Sequence, residues 1–185
     1  MESKDIANYS VAEPLRDGRS MTVRAIRPAD KGHIAEQVKS LSPETVYLRT
    51  FAPKRALDDR DLRRMTDVDF EKIVALVAVI AESGQEMIVG GGRYFRIGTG
   101  SGAKSAEVAF LIGDQYQGLG IGSRIFRHLT AIARATGIET FEAIVLPSNE
   151  GMLRLFDRSG LKVTKKQVED IVQVTIDTGD AGNSA

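Results

Sequence analysis

Asp114-Gln115-Tyr116-Gln117-Gly118-Leu119-Gly120-Ile121-Gly122-Ser123 decides how this chain is read. It follows an apolar run, Val108 to Ile112, and precedes apolar residues at helical spacing: Ile121, Ile125, Leu129 and Ile132. A strand, a glycine turn and a helix start in that order form an anion site. Gly118 and Gly120 let the backbone approach a ligand, and the first helical N–H groups lack intrahelical partners. The helix dipole adds about half a positive charge at that end. The stretch is therefore expected to hold a phosphate or pyrophosphate on the backbone N–H groups of Leu119 to Gly122, with the Ser123 hydroxyl as a further donor.

Upstream, Ala106 to Ile112 is a strand, and Gly98 to Gly102 a small loop. Ile73 to Ala81 is almost continuously apolar and β-branched, the pattern of a strand buried on both faces. Ser83-Gly84 turns the chain, and Glu86 to Ile97 returns as a hairpin arm in which Gly91-Gly92 suggests a bulge. Earlier still, three helices are expected: Pro28 to Lys39, one capped by Ser42 with Pro43 at its first position, and Asp58 to Thr66. Met21 to Ile26 alternates as a strand, and residues 1 to 19 are expected to be a loose arm with a turn at Asp17-Gly18.

Downstream, Glu139 to Leu146 is a strand and Asn149 to Ser159 a helix stopped by Gly160. Leu161 to Thr164 and Ile171 to Ile176 make a last hairpin, and residues 178 to 185 a frayed tail. The order of elements predicts a single α+β domain over residues 20 to 177, with a mixed, mostly antiparallel central sheet flanked by helices.

The composition fits that domain. The 185 residues are 42% hydrophobic and 27% charged, with a formal net charge of zero. A neutral chain offers nucleic acid no general attraction, so no nucleic-acid partner is expected. Cysteine is absent, which removes disulfides, thiol nucleophiles and thiolate metal ligands. No apolar run approaches the roughly 20 residues of a membrane span, and the polar first 19 residues carry no signal-peptide pattern. The expectation is a cytoplasmic protein with neither membrane nor metal.

With the glycine stretch placed, residues 21 to 177 resemble the GNAT superfamily of N-acetyltransferases. The Q-x-x-G-x-G run of Gln117, Gly120 and Gly122 is similar to that family's acyl-coenzyme A pyrophosphate signature. Asn149 through Phe156 to Gly160-Leu161 resembles its later motif, N-x-x-x-x-x-x-(Y/F)-x-x-x-G-(F/L). Three further segments are similar to the catalytic domains of bacterial protein lysine acetyltransferases of the Pat type: Arg24 to Asp30, Leu41 to Arg49 and Ala106 to Phe110. Those enzymes acetylate acyl-CoA synthetases on a lysine and often carry a regulatory domain. Only the catalytic domain is matched here, so regulation by a fused sensor is not expected.

The resemblance implies acetyl-CoA as co-substrate, no metal, and a lysine-bearing protein as acceptor, with an acyl-CoA synthetase as the leading candidate and the enzyme a monomer or homodimer. It implies cofactor contacts at Phe110, Leu111, Ile112, Gln117, Gly118, Leu119, Gly120, Ile121, Gly122, Ser123, Asn149 and Phe156. It also implies that the strand 106 to 112 and the strand after it splay apart, which frees an amide of Phe110 or Leu111 for the thioester oxygen.

A free lysine titrates at about 10.4, so near pH 7.4 only about one in a thousand is neutral, a deficit of roughly 4 kcal/mol. A base is needed, and Glu107 is the one acid within the apolar strand 106 to 112. An apolar surround would suit it to general-base work; the plainer alternative is a solvated strand-end charge. Phe156 stands where many relatives carry a tyrosine acid, so that acid is absent.

Other residues fit plainer roles. His33 and His128 read as surface or packing residues, Asp58, Asp59 and Asp61 as a helix start, and Arg154 and Arg158 as a solvated helix face. Tyr47 and Arg49 fit either a groove wall or core packing. Three rival functions remain: a dinucleotide enzyme, a small-molecule amine acetyltransferase, and a non-catalytic acyl-CoA sensor. The first is disfavoured because Ser123 replaces the third glycine of G-x-G-x-x-G and no acid ends the next strand at Val145-Leu146.

Overall fold

A computed structural model describes residues 1–53, 56–82, 84–98 and 103–179. The expected turn at Ser83 and tail at 180–185 lie outside the described residues, as does most of the loop at 98–102.

The chain folds into one eight-stranded sheet. Its strands are β1 (Ser10–Pro14), β2 (Ser20–Ala25), β3 (Ile73–Glu82), β4 (Gln85–Ile97), β5 (Ser105–Ile112), β6 (Thr140–Val145), β7 (Val163–Val168) and β8 (Ile171–Asp177). They lie in the order β1-β2-β3-β4-β5-β6-β8-β7, and every neighbouring pair is antiparallel except β5 with β6. The expectation of a mixed, mostly antiparallel α+β sheet holds.

Among the described residues six α-helices accompany it: α1 (Ser3–Ala7), α2 (Lys31–Ser40), α3 (Pro43–Thr50), α4 (Asp59–Thr66), α5 (Ile121–Ala135) and α6 (Glu150–Asp157). Their starts follow local chemistry. Ser42 accepts a hydrogen bond from Thr45 N–H, Asp58 accepts one from Asp61 N–H, and Asn149 accepts one from Met152 N–H. Such caps satisfy helix donors that lack an intrahelical acceptor.

Both faces of the sheet are covered. Val74, Leu76, Ala78 and Ile80 of β3 enter the main core with Ile125, Leu129 and Ile132 of α5. The alternate residues Ala75, Val77 and Val79 pack with Ile34 and Val38 of α2 and Leu62 and Met65 of α4. A strand buried on both sides needs the unbroken apolar run seen at 73 to 81.

The amino-terminal residues depart from the expected loose arm. Residues 3 to 7 form α1, and Ser10 to Pro14 pair with β2 as the sheet's edge strand. Ile6 and Leu15 are buried in the main core. At the other end, Thr178 is buried and donates to Ile138 O at 2.7 Å, so the chain remains anchored through that residue.

The expected bulge sits two residues before the Gly91-Gly92 pair that suggested it. Register shifts between Ala78 and Val79, leaving Val89 as the extra residue. Gly90 and Gly92 have a different cause. A Cβ on Gly92 would lie 2.5 Å from Phe110 and 2.7 Å from Ile125, and one on Gly90 would lie 2.6 Å from Ile112. Large side chains of β5 and α5 lie across β4 and leave no room for another.

Candidate active site

The parallel pairing of β5 with β6 runs only from Ser105–Thr140 to Glu107–Glu142. Beyond Glu107 the two strands part, while β5 stays paired to β4 as far as Ile112. One edge of β5 from Val108 to Ile112 therefore has no strand partner among the described residues. Along such an edge alternate N–H and C=O groups point into the opening. The expected splay is present, and it exposes the amides of the segment containing Phe110 and Leu111.

At the carboxyl end of β5 the chain makes a short 3₁₀ turn, Asp114–Tyr116, then the glycine stretch, then α5. Gly118 and Gly120 both take left-handed backbone, at φ +79° and +81°. The first backbone bond of α5 runs from Arg124 N–H to Gly120 O at 3.2 Å. The N–H groups of residues 119 to 123 thus head the helix without acceptors among the described residues. Nothing lies within 4 Å of where a Gly118 Cβ would be, so the loop's outer face is open. This backbone cradle fits a pyrophosphate.

Leu119 and Ile121 have only their amides to offer a ligand, since their side chains pack into the main core. Gly122 has a packing reason as well: a Cβ there would fall 2.8 Å from Leu155 of α6. Ser123 is exposed on the first turn of α5. Gln117 reaches back to Ile112 O and Asp114 at 3.4 Å, bracing the loop's entry.

Two arginines also attend the loop. Arg124 approaches Gly120 O at 3.2 Å, and exposed Arg16, on the β1–β2 turn, approaches Gly118 O at 3.4 Å. Arg16 could not be assigned from sequence, because only the pairing of β1 carries it to the loop. Asp114 ties the loop to α3 by accepting from Ser42 N–H at 2.6 Å and from the Thr45 hydroxyl.

Glu107 is half-buried, and its side chain shares a sheet face with Ala109 and Leu111, opposite Val108 and Phe110. A cavity of about 450 Å³ opens on that face between the sheet and helices α2, α3 and α4. It reaches Ala109, Phe110 and Leu111 at the free edge of β5.

The apolar surround expected for Glu107 is only part of its setting. Arg49 of α3 and Arg93 of β4 line the cavity, and the charge of Glu107 acts on both. Burial pushes both guanidiniums below their ordinary range, and the charge of Arg93 pushes Arg49 further the same way. Glu107 opposes that shift in each. Of the two roles left open for Arg49, the structure selects the cavity wall. Tyr47 lies outside it and is 48% exposed. Arg93 was missed in the sequence; its signal was a cation directly following three glycines in a strand buried on that stretch.

Asn149 serves as the cap of α6, its carbonyl oxygen 3.1 Å from Met152 N. Phe156 is not brought to the cleft. It is 0% exposed, edge-on to Phe126 at 5.5 Å and to Phe110 at 6.4 Å between ring centres. Its position is set by that aromatic cluster, which leaves no ring face for a ligand. The Phe110 side chain belongs to the same cluster, so only its backbone faces the opening.

His128 is buried rather than at the surface, and hydrogen-bonds Tyr9 and Glu13. His33 is exposed, and Arg154 pairs with Glu150 on the solvated face of α6. Among the described residues, no group of three or more His, Asp or Glu side chains is arranged to hold a metal ion. No described helix is long and apolar enough to cross a membrane.

Comparison with known proteins gives this geometry a lineage. Residues 42–161 match the model of the acetyltransferase (GNAT) family. The chain is 30% identical over 162 residues to an acetyltransferase of Pseudomonas aeruginosa, covering 88% of this chain and 85% of that protein. It is 34% identical over 149 residues to the acetyltransferase Pat of Mycolicibacterium smegmatis, covering 79% of this chain but only 42% of that longer protein. The crystal structure of the GNAT domain of S. lividans PAT superposes with a TM-score of 0.83 at 35% identity, covering 91% of this chain and 96% of that one. The chain belongs to the GNAT acetyltransferase family and is an acetyltransferase of the Pat-like kind.

Proposed function

We propose that this enzyme transfers acetyl from acetyl-CoA directly to the side-chain amine of a protein lysine, with Glu107 as general base. The observation that carries the reading is the position of Glu107. It stands where β5 leaves β6, on the face that opens into the cavity at Ala109 to Leu111. A base there lies one strand position from the unpaired edge that would receive the acyl group.

Bound at the cradle, acetyl-CoA supplies an activated thioester. The amides of residues 119 to 123 bind its pyrophosphate, and the free edge of β5 aligns its pantetheine arm. Glu107 takes a proton from the lysine ammonium, directly or through one water. The neutral nitrogen attacks the carbonyl carbon, and a β5 amide holds the oxygen as it gains charge. The new C–N bond forms as the C–S bond breaks, and the electron pair leaves with the sulfur. A coenzyme A thiolate is a good leaving group, so transfer needs no tyrosine acid, and Phe156, buried away from the cleft, supplies none. Cysteine is absent, so no thiol carries the acyl group and transfer proceeds through a ternary complex.

An acyl-CoA synthetase is the leading acceptor, on the strength of the Pat-like kinship, and the cytoplasm is the compartment this implies. Labelled acetyl-CoA in a soluble bacterial extract tests the reading. Label should enter protein with the parent enzyme and fall sharply with Glu107→Gln. Label confined to small amines overturns the protein substrate, and label independent of Glu107 overturns the base.

A further inference from the structure

We propose that the cavity under α2, α3 and α4 is a carboxylate-recognising pocket, in which Arg49, Arg93 and Gln37 hold the carboxylate of a small, otherwise apolar reactant. The inference rests on the reading of β5 as the transfer edge and adds the class of molecule taken beside it.

The cavity's volume, about 450 Å³, lies in the roughly 300–1,000 Å³ range of small-molecule sites. Its walls are largely aliphatic, with Ile34, Val38, Leu41, Val46 and Leu111 among them. Arg49 and Arg93 are the charged residues among the described lining, and both are cations. Neither donates a hydrogen bond to another described residue, although each guanidinium carries five N–H donors. Among the described residues Glu107 is the one carboxylate whose charge acts on them, so there two positive charges face one negative charge.

Gln37 gives a second, independent sign. Its amide Nε2 lies buried on the cavity wall with no hydrogen-bond partner. Buried donors without acceptors are uncommon and call for a reason. A single anionic occupant supplies acceptors to both guanidiniums and balances the surplus charge, and a turn of the buried Gln37 amide toward it would pair that donor as well. Arginine forks favour planar, bidentate acceptors, which points to a carboxylate. The aliphatic walls require that the rest of the occupant be apolar.

Because the cavity reaches Ala109 to Leu111, the carboxylate can belong to either reactant. It can sit on the acceptor, as in an apolar α-amino acid whose neighbouring amine is acylated. It can instead end the acyl group, as in a dicarboxylic acyl thioester. In both cases the acyl carbon exchanges its sulfur for the amine nitrogen, and Glu107 takes the proton.

Calorimetric titration of the intact protein with matched pairs tests this without requiring turnover. L-leucine is compared with L-leucinamide in the presence of coenzyme A, and succinyl-CoA with butyryl-CoA. One charged member should bind roughly 10- to 100-fold more tightly than its neutral partner, since the neutral one leaves buried donors unpaired. A preference for leucine assigns the carboxylate to the acceptor, and a preference for succinyl-CoA assigns it to the acyl group. Arg49→Ala and Arg93→Ala should erase the preference, and Arg93→Lys should restore part of it; acetyl-CoA binding reports that each variant is folded. Equal affinity in both pairs, or a preference that survives both alanine variants, overturns the proposal. Protein labelling is read separately: its loss alongside an intact carboxylate preference sinks the lysine reading alone, and its persistence without any preference sinks this one alone.

Discussion

The Tyr9 hydroxyl lies 2.6 Å from His128 Nδ1, and on the other side of the ring Nε2 lies 3.0 Å from Glu13 Oε1. A neutral imidazole satisfies both contacts: Nδ1 accepts from tyrosine, and Nε2–H donates to the carboxylate. Arg127 and Arg124 also pair with Glu13. The relay fastens the amino-terminal strand β1 to α5, the helix that follows the glycine loop. Tyr9→Phe removes the donor and leaves Nδ1 unpaired. The expected loss is about 1–3 kcal/mol in urea unfolding. A change within error would mean that the relay contributes no stability.

The same relay gives a pH dependence with a definite sign. Burial holds the His128 imidazole below its ordinary range, against the pull of Glu13's charge and hydrogen bond. Below about 6.5 the unfolded chain's imidazole takes up a proton that the folded one refuses. This contribution to stability is therefore complete above about 6.5 and is lost as pH falls below it. Burial raises Glu13, but its hydrogen bond and charge contact with Arg127 prevail, and the carboxyl ends below its ordinary range. Its contribution persists to lower pH and is lost only as the solution turns more acidic. Replacing His128 with Gln should flatten the fall in stability between about pH 6.5 and 5. An unchanged slope would locate the acid sensitivity elsewhere.

Glu107 stands among two guanidiniums and the free edge of β5 rather than in an apolar pocket. Glu107→Gln keeps the shape and removes the proposed base. The expected loss in kcat is roughly 10²- to 10⁴-fold, with acetyl-CoA affinity little changed. Loss of cofactor binding instead would assign Glu107 to ordering the arginines.

These sites differ in how far the sequence disclosed them, and the reason is physical. The glycine cradle, the capped helices at Ser42, Asp58 and Asn149, and the strand at 73 to 81 each depend on residues a few positions apart, so local patterns suffice. Residues 3 to 14 do not. Ser10 to Pro14 is short and ends in proline, and becomes a strand only because β2 and α5 receive it. Arg93 and Gln37 gain meaning only when the sheet and α2 bring them to one cavity. Phe156 was matched by motif spacing, yet its burial is decided by Phe110 and Phe126, which are distant in the chain.

Gly92 tests that kind of long-range constraint. Its backbone is ordinary strand, so alanine meets no conformational penalty there. The added methyl would instead meet Phe110 and Ile125, both held in the main core. Overpacking of this sort costs about 1–3 kcal/mol. Gly92→Ala should therefore lower the urea midpoint, and combined with Ile125→Ala, which removes the Cγ2 that the methyl would meet, it should cost less than the two single changes added together. A neutral single variant would mean that β4 and α5 can separate without cost.

Arg24 and Asp30 form a bidentate pair, with both N–O distances at 2.8 Å and side chains only 6% and 5% exposed. Asp30 also accepts from Arg27 N–H at 2.8 Å, which fixes the chain's exit from β2 into α2. Burial raises the Asp30 carboxyl, and the hydrogen bonds from Arg24 and Arg27 more than reverse this, so it ends below the ordinary aspartate range. Its contribution is present above about 3.9 and is lost as pH falls through the lower, folded value. Removing Asp30 leaves Arg24 buried with only the exposed Glu86, 3.9 Å away, as a charge partner, and breaking a buried pair in this way costs about 3–5 kcal/mol. Asp30→Ala should approach that loss, whereas Arg24→Met with Asp30→Leu, which removes both charges together, should lose much less. If the double variant is as unstable as the single one, the pair is needed for the geometry of the β2–α2 junction and not for its charge balance.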